Sequence, residues 1–152
     1  MKKKFKIPKV TIGIKMSCKT DECYQITSPT DTVELLRDIF SNNDILFREQ
    51  MILLLLNRAN RVVGYSEVSI GGVSGTVCDP KVVFITALNS NASNIILSHN
   101  HPSGNTKPSQ ADIDITNKIN DAAKLLDMQL LDHIILTDNN HYSFADNGIL
   151  NK

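Results

Sequence analysis

Asn94-Ile-Ile-Leu97 runs straight into Ser98-His99-Asn100-His101-Pro102-Ser103-Gly104-Asn105-Thr106-Lys107-Pro108-Ser109-Gln110-Ala111-Asp112, and the reading of the chain turns on this stretch. The first four residues read as a short buried strand. His99 and His101 lie two apart at its end. In an extended chain such residues face the same side, so both imidazoles can converge on one point. Pro102 stops the strand, and Gly104 permits the sharp turn behind it. The chain then enters a helix at Ser109, expected from about Gln110 to Asp127, whose first turn presents Asp112. Two neutral imidazoles and one carboxylate make a three-ligand zinc set, with the fourth tetrahedral position left for water as in catalytic sites.

A plainer reading competes. Ser109-x-x-Asp112 is also a capping box, which needs no metal, and two nearby loop histidines are more often ordinary polar residues. The cap leaves the His-x-His-Pro at the mouth of a buried strand unexplained. The two readings can coexist, because a cap fixes the start of the helix that carries Asp112. Spacing alone tips slightly toward metal.

Outward from this stretch, strands and helices are mixed along the chain. Val10–Met16 alternates apolar and polar residues, the period of a half-buried strand. Ser28-Pro29-Thr30-Asp31 is a helix start, with Val33, Leu36, Ile39 and Phe40 as its apolar stripe and Ser41-Asn42-Asn43 as its end. The run from Glu49 to Leu56 predicts a buried strand, closed by an Asn57–Asn60 turn and paired with a returning strand over Arg61–Ile70. Gly71, Gly72 and Gly75 form the next loop, and Asp79-Pro80 opens a second helix through Leu88. A fourth strand is expected over Leu130–Thr137 and a fifth over Tyr142–Phe144, before an Asn147-Gly148 turn. This order indicates a single α/β (α+β) domain with a mixed sheet flanked by helices. Residues 1–27 are expected to be a lysine-rich extension with a strand, and residues 28–152 the domain.

Composition narrows the class. With 152 residues, 41% hydrophobic and 21% charged, the chain can bury roughly two-thirds of its unfolded surface. Dominant disorder is excluded by that apolar fraction and by zero net charge. The longest apolar run, Met51–Leu56, is six residues, against the ~20 of a spanning helix. No signal peptide follows the lysine-rich start. Cys18, Cys23 and Cys78 form no CxxC pair, which suits reduced thiols and a cytoplasmic location. A thiolate would be favoured at Cys78 beside the helix start, but no partner histidine is evident, so a thiol nucleophile is not expected there. Seven of the sixteen basic residues precede Asp21, so residues 20–152 carry nine basic and sixteen acidic groups, a net of −7. A lysine arm on an acidic body could make weak contact with nucleic acid; a solvated tail is the favoured reading, because no basic surface interleaved with aromatics follows.

His-x-His-Pro, with the seven residues Pro102 to Pro108 separating His101 from Ser109, then Ser-x-x-Asp, resembles the JAMM (MPN+/JAB) metalloprotease signature. More narrowly, HNHPSGNTKPSQADIDIT, LLDHIIL at 130–136 and YSFADNGIL at 142–150 resemble the RadC family, over about residues 28–152. The resemblance implies a JAB/MPN-like (cytidine-deaminase-like) fold. It implies one zinc ion per chain held by His99, His101 and Asp112, with Ser109 helping to hold an oxyanion. A glutamate from an earlier strand would be the general base. Glu49, just before the apolar strand, is the choice over Glu67, which alternates with Val68 as a solvent-facing hairpin residue. The implied reaction is attack of a zinc-activated water on a peptide or isopeptide carbonyl, with Glu49 accepting the proton and returning it to the leaving amine. The substrate would be a peptide or protein, with no membrane partner.

Longer RadC-type proteins carry a helix-hairpin-helix DNA-binding segment ahead of this domain, and residues 1–27 do not read as one. Asn100 stands where deubiquitinase-like relatives commonly have Ser or Thr, which places the chain on the RadC side. A DNA-repair or DNA-maintenance protein is therefore the alternative to the hydrolase, and an inert scaffold the third reading. His133 could support the metal ligands from behind, but a satisfied, semi-buried strand residue is the favoured reading, and His141 reads as an exposed loop residue.

Overall fold

The computed structural model describes residues 19, 22–41, 45–71 and 76–150. The expected Val10–Met16 strand, most of the lysine arm, Cys18, Asn42, Asn43, Gly72 and Gly75 lie outside the described residues. The elements are α1 (Pro29–Ser41), β1 (Gln50–Leu56), β2 (Val62–Ile70), α2 (Pro80–Asn89), β3 (Asn94–Asn100), α3 (Gln110–Leu125), β4 (Gln129–Leu136) and β5 (His141–Ser143). Their order and type follow the sequence reading, with boundaries moved by a few residues. None of the described helices is long and apolar enough to cross a membrane.

The strands form one mixed sheet in the order β2-β1-β3-β4-β5. β1 pairs antiparallel with β2 and β3, β4 pairs antiparallel with β5, and only β3 and β4 are parallel. A parallel pair needs a crossover, and α3 supplies it.

β1 is buried along its whole length because helices cover both faces of the sheet. Met51, Leu53 and Leu55 pack with Ile95 and Leu97 against α2 and α3. Ile52, Leu54 and Leu56 pack with Ile96, Ile134 and Leu136 against Leu36 and Phe40 of α1. The period-2 alternation of strands thus builds two cores from one run of apolar residues.

Helix starts are fixed locally. The Ser28 hydroxyl accepts from the Asp31 N–H at 3.2 Å, and the Asp31 carboxylate accepts from the Ser28 N–H at 2.9 Å. Asp79 caps α2 through the Lys81 N–H. The β1–β2 turn is held by the Asn57 carboxamide, which accepts from the N–H groups of Ala59 and Arg61. Part of the N-terminal extension joins the domain, since Gln25 bridges to Arg61 and Ile26 is buried in the α1-side core.

Candidate metal centre

The register of the sheet decides which side chains meet. His99 is opposite Met51 in the antiparallel β1–β3 pair, so it shares the α3-facing side with Met51, Ile95 and Leu97. Glu49 is two residues before Met51 and continues on that face as β1 begins. His101 follows β3 directly, where its N–H donates to the Leu136 carbonyl at 2.8 Å. The ligand atoms of Glu49, His99 and His101 lie within 4.8 Å of one another, a group that could hold a metal ion. Glu67 is opposite Ile52, which belongs to the α1-side core, so Glu67 projects from the other face of the sheet.

Asp112 arrives from the first turn of α3. Its Oδ1 is 3.3 Å from His99 Nε2 and its Oδ2 is 3.9 Å from His101 Nε2. The capping box and the convergence of Asp112 on the histidines coexist. Ser109 Oγ accepts from the Asp112 N–H at 3.1 Å, and the Ser109 N–H and hydroxyl donate to Asp112 Oδ2 at 2.7 and 2.6 Å. The hydroxyl proton of Ser109 is therefore engaged by Asp112. Donation to an oxyanion would require that bond to open.

The hydrogen-bond network assigns the tautomers. A carbonyl can only accept, so the Thr116 hydroxyl donates to the Asp112 carbonyl at 2.5 Å and accepts from His133 Nδ1–H at 2.5 Å. His133 Nε2 is then an acceptor, and it takes the proton of His99 Nδ1–H at 2.8 Å. On the other side, His101 Nδ1–H donates to the Asn105 carbonyl at 2.6 Å. These bonds occupy both Nδ1 atoms and turn both Nε2 atoms inward, 2.9 Å apart, with a carboxylate facing them. Two ring nitrogens this close, with His99 wholly buried, need a positive charge between them, which either a shared proton or a metal ion supplies.

These donors fit a divalent ion. Two nitrogens at zinc-bond lengths in a tetrahedral site stand about 3.3 Å apart, so the observed 2.9 Å needs only a small opening. Electrostatics agree. Burial would raise the Asp112 carboxyl, but hydrogen bonding and charge from His99, where a proton can stand in for the metal, outweigh it together with the Ser109 groups. The carboxyl is held well below its usual range. Burial keeps His133 neutral, pushing its pKa well down, with a further push from the charge of His99.

His133 is the residue the sequence reading undervalued. It is wholly buried, stacked on Phe144 with ring centroids 4.7 Å apart, and bonded to His99. Its signal lay in the pattern: a histidine within the apolar strand that pairs with the His99 strand. At Cys78 only the expected help from the helix start is corrected: burial pushes the thiol up to about 11, with Asp79 adding to the effect, which agrees with its not being a nucleophile. The proximity of the α2 start does not outweigh that desolvation. His141 is exposed, as expected.

The donors lie where the C-terminal ends of the parallel β3–β4 pair meet the start of α3, as ligand sites do in α/β sheets. By contrast, a cleft of about 680 Å³ lined by Lys124, Met128 and Leu130 lies at the opposite ends of α3 and β4. None of the converging donors lines it.

Comparison with known proteins agrees with this picture. A profile of the RadC-like JAB domain matches residues 26–149. A UPF0758 protein of Flavobacterium johnsoniae is 42% identical over 125 residues, covering 82% of this chain and 53% of that protein. A UPF0758 protein of Clostridium tetani is 37% identical over 134 residues, covering 88% of this chain and 58% of the relative. For one from Aquifex aeolicus the identity is 36% over 125 residues, with 82% and 52% covered. The chain spans a little over half the length of these relatives. With the profile matched across most of its residues and relatives this similar, the chain belongs to the RadC-like JAB domain family.

Proposed function

We propose that this domain is a metal-dependent hydrolase of the JAMM type that cleaves a peptide or isopeptide bond. The observation that carries the reading is the meeting of two imidazole Nε2 atoms, 2.9 Å apart, with the Asp112 carboxylate. Glu49 brings a second carboxylate to the same place. His99, His101 and Asp112 would hold the ion, and zinc suits a site of two imidazoles and one carboxylate. When bound, such an ion supplies Lewis acidity, polarising a carbonyl and acidifying water.

The chain's own groups do the rest. His133 and the Asn105 carbonyl hold the two imidazoles in the ligating tautomer. Asp112 is kept ionised at neutral pH by its surroundings. Glu49, half-buried beside the histidines, accepts a proton from an attacking water and returns it to the leaving amine. Ser109 serves first as the cap that sets Asp112, and its hydroxyl can reach an oxyanion once its bond to Asp112 opens.

The test is hydrolysis of peptide and isopeptide libraries by zinc-loaded protein. Cleavage should vanish with a chelator, return with zinc, and be lost in Glu49→Gln while zinc content is kept. Cleavage by Glu49→Gln at the parent rate would refute the assignment of Glu49. The DNA-maintenance reading has its support in the lysine-rich start. Salt-dependent retention on DNA, lost on deletion of residues 1–9, would favour it.

A further inference from the structure

Asn100 stands between the two histidines, yet it serves the opposite face of the sheet. It is fully buried. Its side chain makes three hydrogen bonds, all to the main chain of one short segment. Oδ1 accepts from the Gln50 N–H at 2.8 Å, and Nδ2 donates to the carbonyls of Ile45 at 2.6 Å and Arg48 at 2.9 Å. The partners fix the amide's orientation, since an N–H must donate and a carbonyl must accept. Residues 45–48 form a turn ahead of β1, and Leu46 and Phe47 in it are exposed. Ile45 packs against the α1-side core at the start of the segment, and beyond it Asn100 ties the exposed turn to β3.

Glu49 sits between Arg48 and Gln50, both of which Asn100 holds. Its own carbonyl accepts from the Gly71 N–H at 2.8 Å. We propose that Asn100 is the positioning residue for Glu49: by clamping the main chain on either side of it, Asn100 keeps that carboxylate at the His99–His101 pair. A carboxamide is suited to make all three bonds at once. Aspartate would set a carboxylate against two carbonyls, serine offers one donor for two acceptors, and a leucine offers none. The inference deepens the proposed function and rests on its reading of Glu49.

Two measurements on the full chain test it. The first needs no metal: hydrogen–deuterium exchange at residues 45–51 in the parent, Asn100→Ser, Asn100→Ala and Glu49→Gln. Losing buried hydrogen bonds should speed local exchange at Gln50 roughly tenfold in the Asn100 variants, with β4 unchanged. Glu49→Gln should exchange like the parent. The second is the pH dependence of the cobalt(II) absorption spectrum in the single variants and in Asn100→Ser combined with Glu49→Gln. Asn100→Ser should move the transition in the same direction as Glu49→Gln, and the double variant should move it no further than Glu49→Gln alone.

Unchanged exchange over 45–51 in Asn100→Ser overturns the clamp. Additive spectral shifts overturn the action through Glu49 and leave Asn100 a packing residue. If Asn100→Ala does not fold, Asn100→Ser decides. A parent chain that binds no cobalt sinks the metal reading and the positioning role with it, while the exchange data still report whether the clamp exists.

Discussion

His99 Nδ1 and His133 Nε2 are 2.8 Å apart in the buried layer between the sheet and α3. The contact passes to Thr116 and ends on the main-chain carbonyl of Asp112, so one histidine ligand is oriented through the same helical turn that presents the carboxylate. Replacing His133 by Phe keeps an aromatic ring against Phe144 but removes the acceptor for His99. Zinc affinity should fall about 10- to 100-fold, measured by competition with a chromogenic chelator. Thr116→Val should weaken binding in the same direction by less.

Ser109 can be examined as a cap separately from any role with substrate. Ser109→Ala removes the acceptor for the Asp112 N–H and one donor to the Asp112 carboxylate. Urea unfolding should show a loss of about 1 kcal/mol. If Ser109 also stabilises an oxyanion, kcat on a cleaved peptide should fall about 100-fold or more, while KM stays near the parent value. A stability loss without a kcat effect would confine Ser109 to the cap.

Asp31 gives a pH signature far from the metal centre. Hydrogen bonds from the Thr27 hydroxyl and N–H, with those involving Ser28, lower its carboxyl from the ordinary 3.8 to about 2. A depressed folded-state pKa stabilises the fold fully above the unfolded value, and the contribution is lost as pH falls through the folded value. Asp31→Asn should therefore be less stable than the parent at pH 6. The gap should close between about pH 4 and pH 2, as followed by thermal melts across that range.

The element order was legible because local rules agreed with the tertiary result. Ser28-Pro29 and Asp79-Pro80 are helix starts by their own chemistry, and the burial of Met51–Leu56 needed only its apolar run. His99, His101 and Asp112 could be picked from one contiguous motif. His133 could not be ranked in the same way. Its importance depends on the parallel pairing of β3 with β4, which sets His133 opposite Leu97. Asn100 was legible only as a mark of resemblance, since its bonds span about fifty residues of sequence to a turn with no periodic pattern. Glu49 could be preferred to Glu67 from strand position and alternation, and the register adds the reason: Glu67 pairs with Ile52 of the other face. The helix-start effect expected at Cys78 did not hold, because nearness to a helix start is visible in sequence, whereas burial is not.

The most direct measurement is zinc per chain by elemental analysis, in the parent and in His101→Ala after equal exposure to zinc and gel filtration. His101 keeps some solvent access, with 16% of its side-chain surface exposed, so its removal spares the buried core. About one zinc per parent chain, falling to a small fraction in His101→Ala, is the result expected of a centre built from His99, His101 and Asp112. Equal zinc in both proteins, or none in the parent, would contradict it and leave the Ser109–Asp112 pair as a helix cap alone.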